Sequence, residues 1–93
     1  QALDHSIEQL KKADAEGPRS RAAIEAIYTT RSLWALVIED LASADNGLPE
    51  ALRAELISIG LWIMREAEAI RLGKSENFKG IIEITTLIRE GLK

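Results

Sequence analysis

Cysteine is absent from the 93 residues. That rules out disulfides, thiolate metal sites and thiol nucleophiles, and it fits a reducing cytosol. Basic runs are also missing: 12 Lys and Arg are interleaved with 15 Asp and Glu, for a net charge of −3. Nucleic acid is bound chiefly through clustered cations that neutralise phosphates, so no direct DNA or RNA contact is expected. The longest uncharged stretch of interest, Leu56 to Met64, falls far short of the about 20 apolar residues a membrane-spanning helix needs. No membrane insertion is expected, and no signal-peptide pattern is present. Aromatics make up only 4% of the chain, so Trp34, Trp62, Tyr28 and Phe78 can be interpreted singly.

Catalytic patterns are lacking too. His5 is the only histidine, with no second ligand at metal-binding spacing. There is no glycine-rich phosphate loop and no nucleophile–base arrangement. Glu66 and Glu68 lie on different helix faces, and Glu39 and Asp40 diverge by about 100° of helix turn. Neither pair forms a working carboxylate dyad. An enzyme is not expected, nor is any cofactor or metal.

What is there is an apolar fraction of 46% with 29% charged residues, a globular balance. The length suits one domain of modest core. Apolar residues recur three and four apart throughout, the helical period. The expected fold is all-α: a small antiparallel bundle of four helices, at 2–16, 18–44, 49–72 and 76–90. The first carries a thin stripe of Leu3, Ile7 and Leu10. Gly17-Pro18 breaks the chain after it, with Ser20 an alternative cap of the second helix. In that helix Ile24, Ile27, Tyr28, Trp34, Ala35, Ile38, Leu41 and Ala42 share a broad face, while Leu33 and Leu36 fall off it. Asn46-Gly47 is a turn pair that tolerates positive φ, and Pro49 should occupy the first position of the third helix. The third helix has a main stripe through Leu52, Leu56, Ile59, Gly60, Ile63, Ala67 and Ile70. Ile57, Leu61 and Met64 form a second stripe, and Trp62 stands apart. Gly73 should stop this helix and Ser75 should cap the fourth, whose apolar face holds Phe78, Ile81, Ile82, Thr85, Ile88 and Leu92.

Short loops make consecutive helices antiparallel neighbours. Folding about Gly47 brings Trp34 to Gly60, Ile38 to Leu56 and Ile27 to Ala67. A glycine inside a helix costs about 1 kcal/mol against alanine, so close packing of Trp34 on Gly60 is the expected reason for it. The same register brings Arg31 within reach of Glu66, the expected buried or half-buried ion pair. Folding about Lys74 brings Phe78 to Ile70, Thr85 to Ile63 and Ile88 to Gly60.

Apolar side chains remain in surplus. Ile57, Leu61, Trp62, Met64, Leu33 and Leu36, with Leu87, do not all fit a simple three-helix core. Either the first helix covers them, or they form a surface for an amphipathic partner helix, where Trp anchors and Met adapts. The latter is the candidate binding site.

Three blocks, RSLWALVIEDL (Arg31 to Leu41), LPEALRAELISIGLWIMREAEAIRLG (Leu48 to Gly73) and NFKGIIEITTLIREGL (Asn77 to Leu92), resemble the FlaF family of bacterial flagellar biosynthesis regulators. Ala2 to Arg21 resembles the matching upstream part. The family usually has a short extra N-terminal segment, so this single FlaF-like domain, starting at Gln1, is expected to lack one. The resemblance implies a small cytoplasmic protein that promotes flagellin production or export, linked to the regulator FlbT. It implies flagellin as a partner, bound through terminal amphipathic helices that would otherwise aggregate, in a secretion-chaperone role. The alternative it leaves is post-transcriptional control through FlbT without direct flagellin binding.

Overall fold

The computed structural model describes residues 2–91. It holds four helices: α1 (Ala2–Glu16), α2 (Arg21–Ala42), α3 (Glu50–Arg71) and α4 (Phe78–Gly91), with no strand among the described residues. The all-α bundle read from the sequence is the observed class. Its longest extent, 39 Å, follows from the two 22-residue helices, which at 1.5 Å rise per residue run about 33 Å each. Leu92 of the expected fourth-helix face lies outside the described residues.

Each helix end has a local cause. Gly17 adopts φ +103° and returns its N–H to the Ala13 carbonyl at 2.8 Å, closing α1. Ser20 then caps α2: its Oγ accepts from the Ala23 N–H at 3.1 Å and donates to the Gly17 carbonyl at 2.7 Å. The helix therefore begins at Arg21, after the Pro18–Ser20 turn rather than within it. At the end of α3, Gly73 has φ +78°. Its N–H donates to the Ile70 carbonyl at 3.1 Å, and that of Lys74 to the Ala69 carbonyl at 2.8 Å. This pair of bonds is the Schellman arrangement, which needs a left-handed residue that glycine adopts without steric cost.

Three local expectations give way. Pro49 flanks α3 rather than opening it, and its carbonyl accepts from the Arg53 N–H at 3.0 Å. Neither Asn46 nor Gly47 uses positive φ. The loop is held instead by the Asn46 side chain, whose Oδ1 accepts from the Leu48 N–H at 3.0 Å and whose Nδ2 donates to Asp40 at 3.1 Å. Asn77, not Ser75, caps α4, accepting from the Gly80 N–H at 3.0 Å. Asn and Ser cap about equally well, and the later cap makes the buried Phe78 the first helical residue.

The packing is organised around α2, which lies along α3 on one side and along α1 on the other. The α2–α3 pair is antiparallel, as its contacts run in opposite chain order: Arg19 reaches Gly73, Trp34 reaches Gly60, and Arg53 reaches Leu41. A Cβ added at Gly60 would meet Trp34 Cε3 at 2.8 Å and Ile38 Cδ1 at 3.1 Å. Arg53 donates to the Leu41 and Ser43 carbonyls, each at 3.3 Å. In this way α3 satisfies carbonyls at the open end of α2.

The place of α1 departs most from expectation. Its stripe is thin, yet Ser6, Ile7, Leu10 and Ala13 are all buried. It meets α2 over short side chains, Ala22, Ala23, Ala26 and Thr30, which allow the backbones to approach closely. On its other side it carries α4, with Arg89 bonded to Asp4 at 2.8 Å. The close partner of α4 is therefore α1, and its approach to α3 is short. The full-length α3–α4 pairing expected from the sequence does not form. Residues 75–77 are irregular and add reach of about 3.3 Å per residue, enough to carry α4 sideways.

Candidate functional site

The apolar arc of α2 is wider than the surface its neighbours cover. Trp34 is buried at 1% exposure, but Ile24 and Tyr28, expected on the same broad face, are 67% and 74% exposed. They sit on the outer flank of α2, beyond the line of contact with α3. The matching flank of α3 offers Met64 and Arg71. Between the two flanks runs an open groove of about 700 Å³, lined by Ile24, Ile27, Tyr28, Ala35 and Met64, with Pro18 among its further lining residues. Among the described residues α1 and α3 make no close approach. The first helix therefore does not lie over the second stripe of α3.

Cations rim this groove. Arg19, Arg31 and Arg71 line it. Arg31 is paired with Glu68 at 3.2 Å, not with Glu66. The reason is rotational: two residues along a helix turn through about 200°. Glu66 therefore faces the other side of the buried Gly60–Ile63–Ala67 stripe, away from Arg31. Glu68 also receives a two-pronged pair of bonds from Arg71, both at 2.7 Å. The Arg71 hydrogen bond, with the charges of Arg71 and Arg31, holds the Glu68 carboxyl below its ordinary range against a smaller opposing effect of desolvation. Glu68 in turn pushes the Arg71 guanidinium upward. Arg19 makes no ion pair among the described residues. Its guanidinium lies against Gly73, where a Cβ would collide with it.

A second hollow, of about 430 Å³, lies nearer the opposite end of the bundle, lined by Leu3, Leu33, Leu36, Leu48, Leu56 and Ile88 among others. Leu36 there is 67% exposed. The six sequence-derived partner residues are thus divided. Met64 belongs to the first groove, and Leu33 and Leu36 to the second. Ile57, Leu61 and Trp62 line neither; Leu61 and Trp62 stand exposed on α3. They do not make one continuous patch, because α2 places Leu33 and Leu36 on the flank away from Met64. Ile24 and Tyr28, which the sequence places on the broad apolar face of the second helix, line the first groove and were not among these six. Their position at the edge of the apolar arc was the available signal.

Among the described residues no group of carboxylates and histidines could hold a metal ion. No helix among them is long and apolar enough to cross a membrane. Neither a curated protein nor a solved structure matches the chain. The family model described as flagellar protein FlaF matches residues 1–92, in agreement with the resemblance carried by the α2, α3 and α4 blocks, and the chain belongs to the FlaF family of flagellar proteins.

Proposed function

We propose that this protein binds flagellin in the cytoplasm and keeps it competent for export, as a chaperone that promotes flagellin production. The observation that supports this most is the α2–α3 groove, where Ile24, Tyr28 and Met64 offer apolar surface that α1 and α4 leave open. Unassembled flagellin has long amphipathic terminal helices, and an apolar groove between two helices is a common seat for such a segment. No bond is made or broken in this role, and no metal or cofactor enters it. Membership of a flagellar family supplies the biological setting.

Binding of purified flagellin tests the reading, with three variants separating the three apolar surfaces. Tyr28→Asp in the groove should abolish the complex. Leu36→Asp in the second hollow and Trp62→Ala on the back of α3 should leave it intact. If flagellin fails to bind the unaltered protein while FlbT co-purifies with it, the chaperone role is wrong and control through FlbT replaces it.

A further inference from the structure

The groove has an electrostatic character opposite to that of the whole chain. The protein carries −3 overall, yet the ionised side chains lining the groove are all arginines: Arg19, Arg31 and Arg71. One carboxylate, Glu68, is shared by two of them. Three guanidiniums against one carboxylate leave two positive charges in excess. The nearby Glu25 is engaged by Arg21 at 3.5 Å. Beneath this rim the floor is apolar, so the site presents hydrocarbon in the middle and cations at the edge.

We infer that the groove selects an amphipathic helix whose apolar stripe is bordered by carboxylates, with its acidic edge received by Arg19 and Arg71. This rests on the proposed function and adds the charge of the segment that is held. Guanidinium forks match carboxylates two-pronged, which fixes orientation as well as attraction. Arg19, having no ion pair of its own, meets an incoming carboxylate without breaking one. Arg71 reaches one by turning from Glu68, which stays paired to Arg31. A positive groove on an acidic protein also guides an acidic segment toward this face and repels a basic one.

The test has two arms. In the first, two synthetic Leu/Ala helices of equal length, one bordered by Glu and one by Lys, are titrated against the full chain while the Tyr28 and Ile24 NMR signals are followed. The Glu-bordered helix should shift these signals at least about tenfold more tightly, and more weakly at high salt. Equal binding, or preference for the Lys-bordered helix, overturns the inference whether or not flagellin binds. In the second arm, flagellin binding is compared across Arg19→Glu, Tyr28→Asp and the control Lys79→Glu, which makes the same charge change on α4, outside the groove. Arg19→Glu should weaken the complex about tenfold and Lys79→Glu less than about twofold. If Arg19→Glu matches the control while Tyr28→Asp abolishes binding, the charge preference falls and the groove as flagellin seat stands. If Tyr28→Asp also binds normally, the groove reading itself falls.

Discussion

The two faces of α2 are built from opposite materials. The inner face toward α1 is made of small residues, Ala22, Ala23, Ala26 and Thr30, all buried. The outer flank carries Ile24 and Tyr28, which are larger and mostly exposed. A hydrophobicity ranking alone would bury the second set first. Geometry reverses the order: short side chains let α1 come close enough to exclude water, whereas none of the described helices lies over the outer flank. Exposed large apolar residues cost about 25 cal/mol per Å² of surface left in water. A contiguous apolar surface of this kind is the usual mark of a partner site.

This contrast is broken most directly by truncating a large residue on each side of it. Trp34→Ala removes a fully buried indole from beside Gly60 and should lower stability by about 3–5 kcal/mol, read from urea unfolding. Tyr28→Ala should stay within about 0.5 kcal/mol of the unaltered chain while binding to flagellin is lost. Similar losses of stability at both sites would mean that the outer flank belongs to the core.

Gly60→Ala sharpens the same contrast, because helix propensity and packing pull in opposite directions there. The substitution gains about 1 kcal/mol of propensity, but its methyl group meets Trp34 and Ile38 inside normal contact. Overpacking of this kind costs about 1–3 kcal/mol, so the net effect should be a lower melting temperature. A rise would show that the α2–α3 seam yields easily. A smaller effect separates the two candidate caps of α4. Asn77→Ala should cost about 1 kcal/mol, and Ser75→Ala clearly less, since only the first accepts from the third residue of the helix.

The mildest effect concerns the groove rim. Glu68 titrates below its ordinary value, so it binds fewer protons in the folded chain than in the unfolded one over that interval. Its stabilising contribution is present above the ordinary carboxylate pKa of 4.5 and is lost as pH falls through the lowered value. Carbon-detected NMR titration should place the Glu68 midpoint below the ordinary carboxylate value of 4.5. Arg71→Gln should move the Glu68 midpoint back up toward that value, since the Arg71 hydrogen bond is the largest cause of the lowering. A Glu68 midpoint unchanged by Arg71→Gln would show that the Arg71 hydrogen bond does not lower it.

Much of the local structure was legible in the sequence because its causes are local. Gly17-Pro18 and Gly73 punctuate the chain through φ preferences that no distant contact is needed to explain. The Trp34–Gly60 contact was also legible, since an otherwise costly mid-helix glycine asks for a neighbour and a short loop fixes where that neighbour lies. The position of α1 was not. A stripe of Leu3, Ile7 and Leu10 states that the helix packs but not on what, and the recipient surface consists of alanines with weak hydrophobic signal. The Arg31 partner failed for a related reason: register narrowed the choice to one turn of α3, and within a turn only the side of approach separates Glu66 from Glu68.

By itself the sequence determined the four helices, their approximate bounds and the antiparallel α2–α3 register, because helical period, glycine and proline act over a few residues. Family membership was also written in it, through the ordered blocks of α2, α3 and α4. Tertiary structure alone decided which sector of each apolar arc is covered. Periodicity gives the width of an arc, but burial depends on where neighbouring backbones lie. Once α1 settled on the small-residue face of α2 and carried α4 with it, Ile24, Tyr28 and Met64 were left to line a groove edged by arginines.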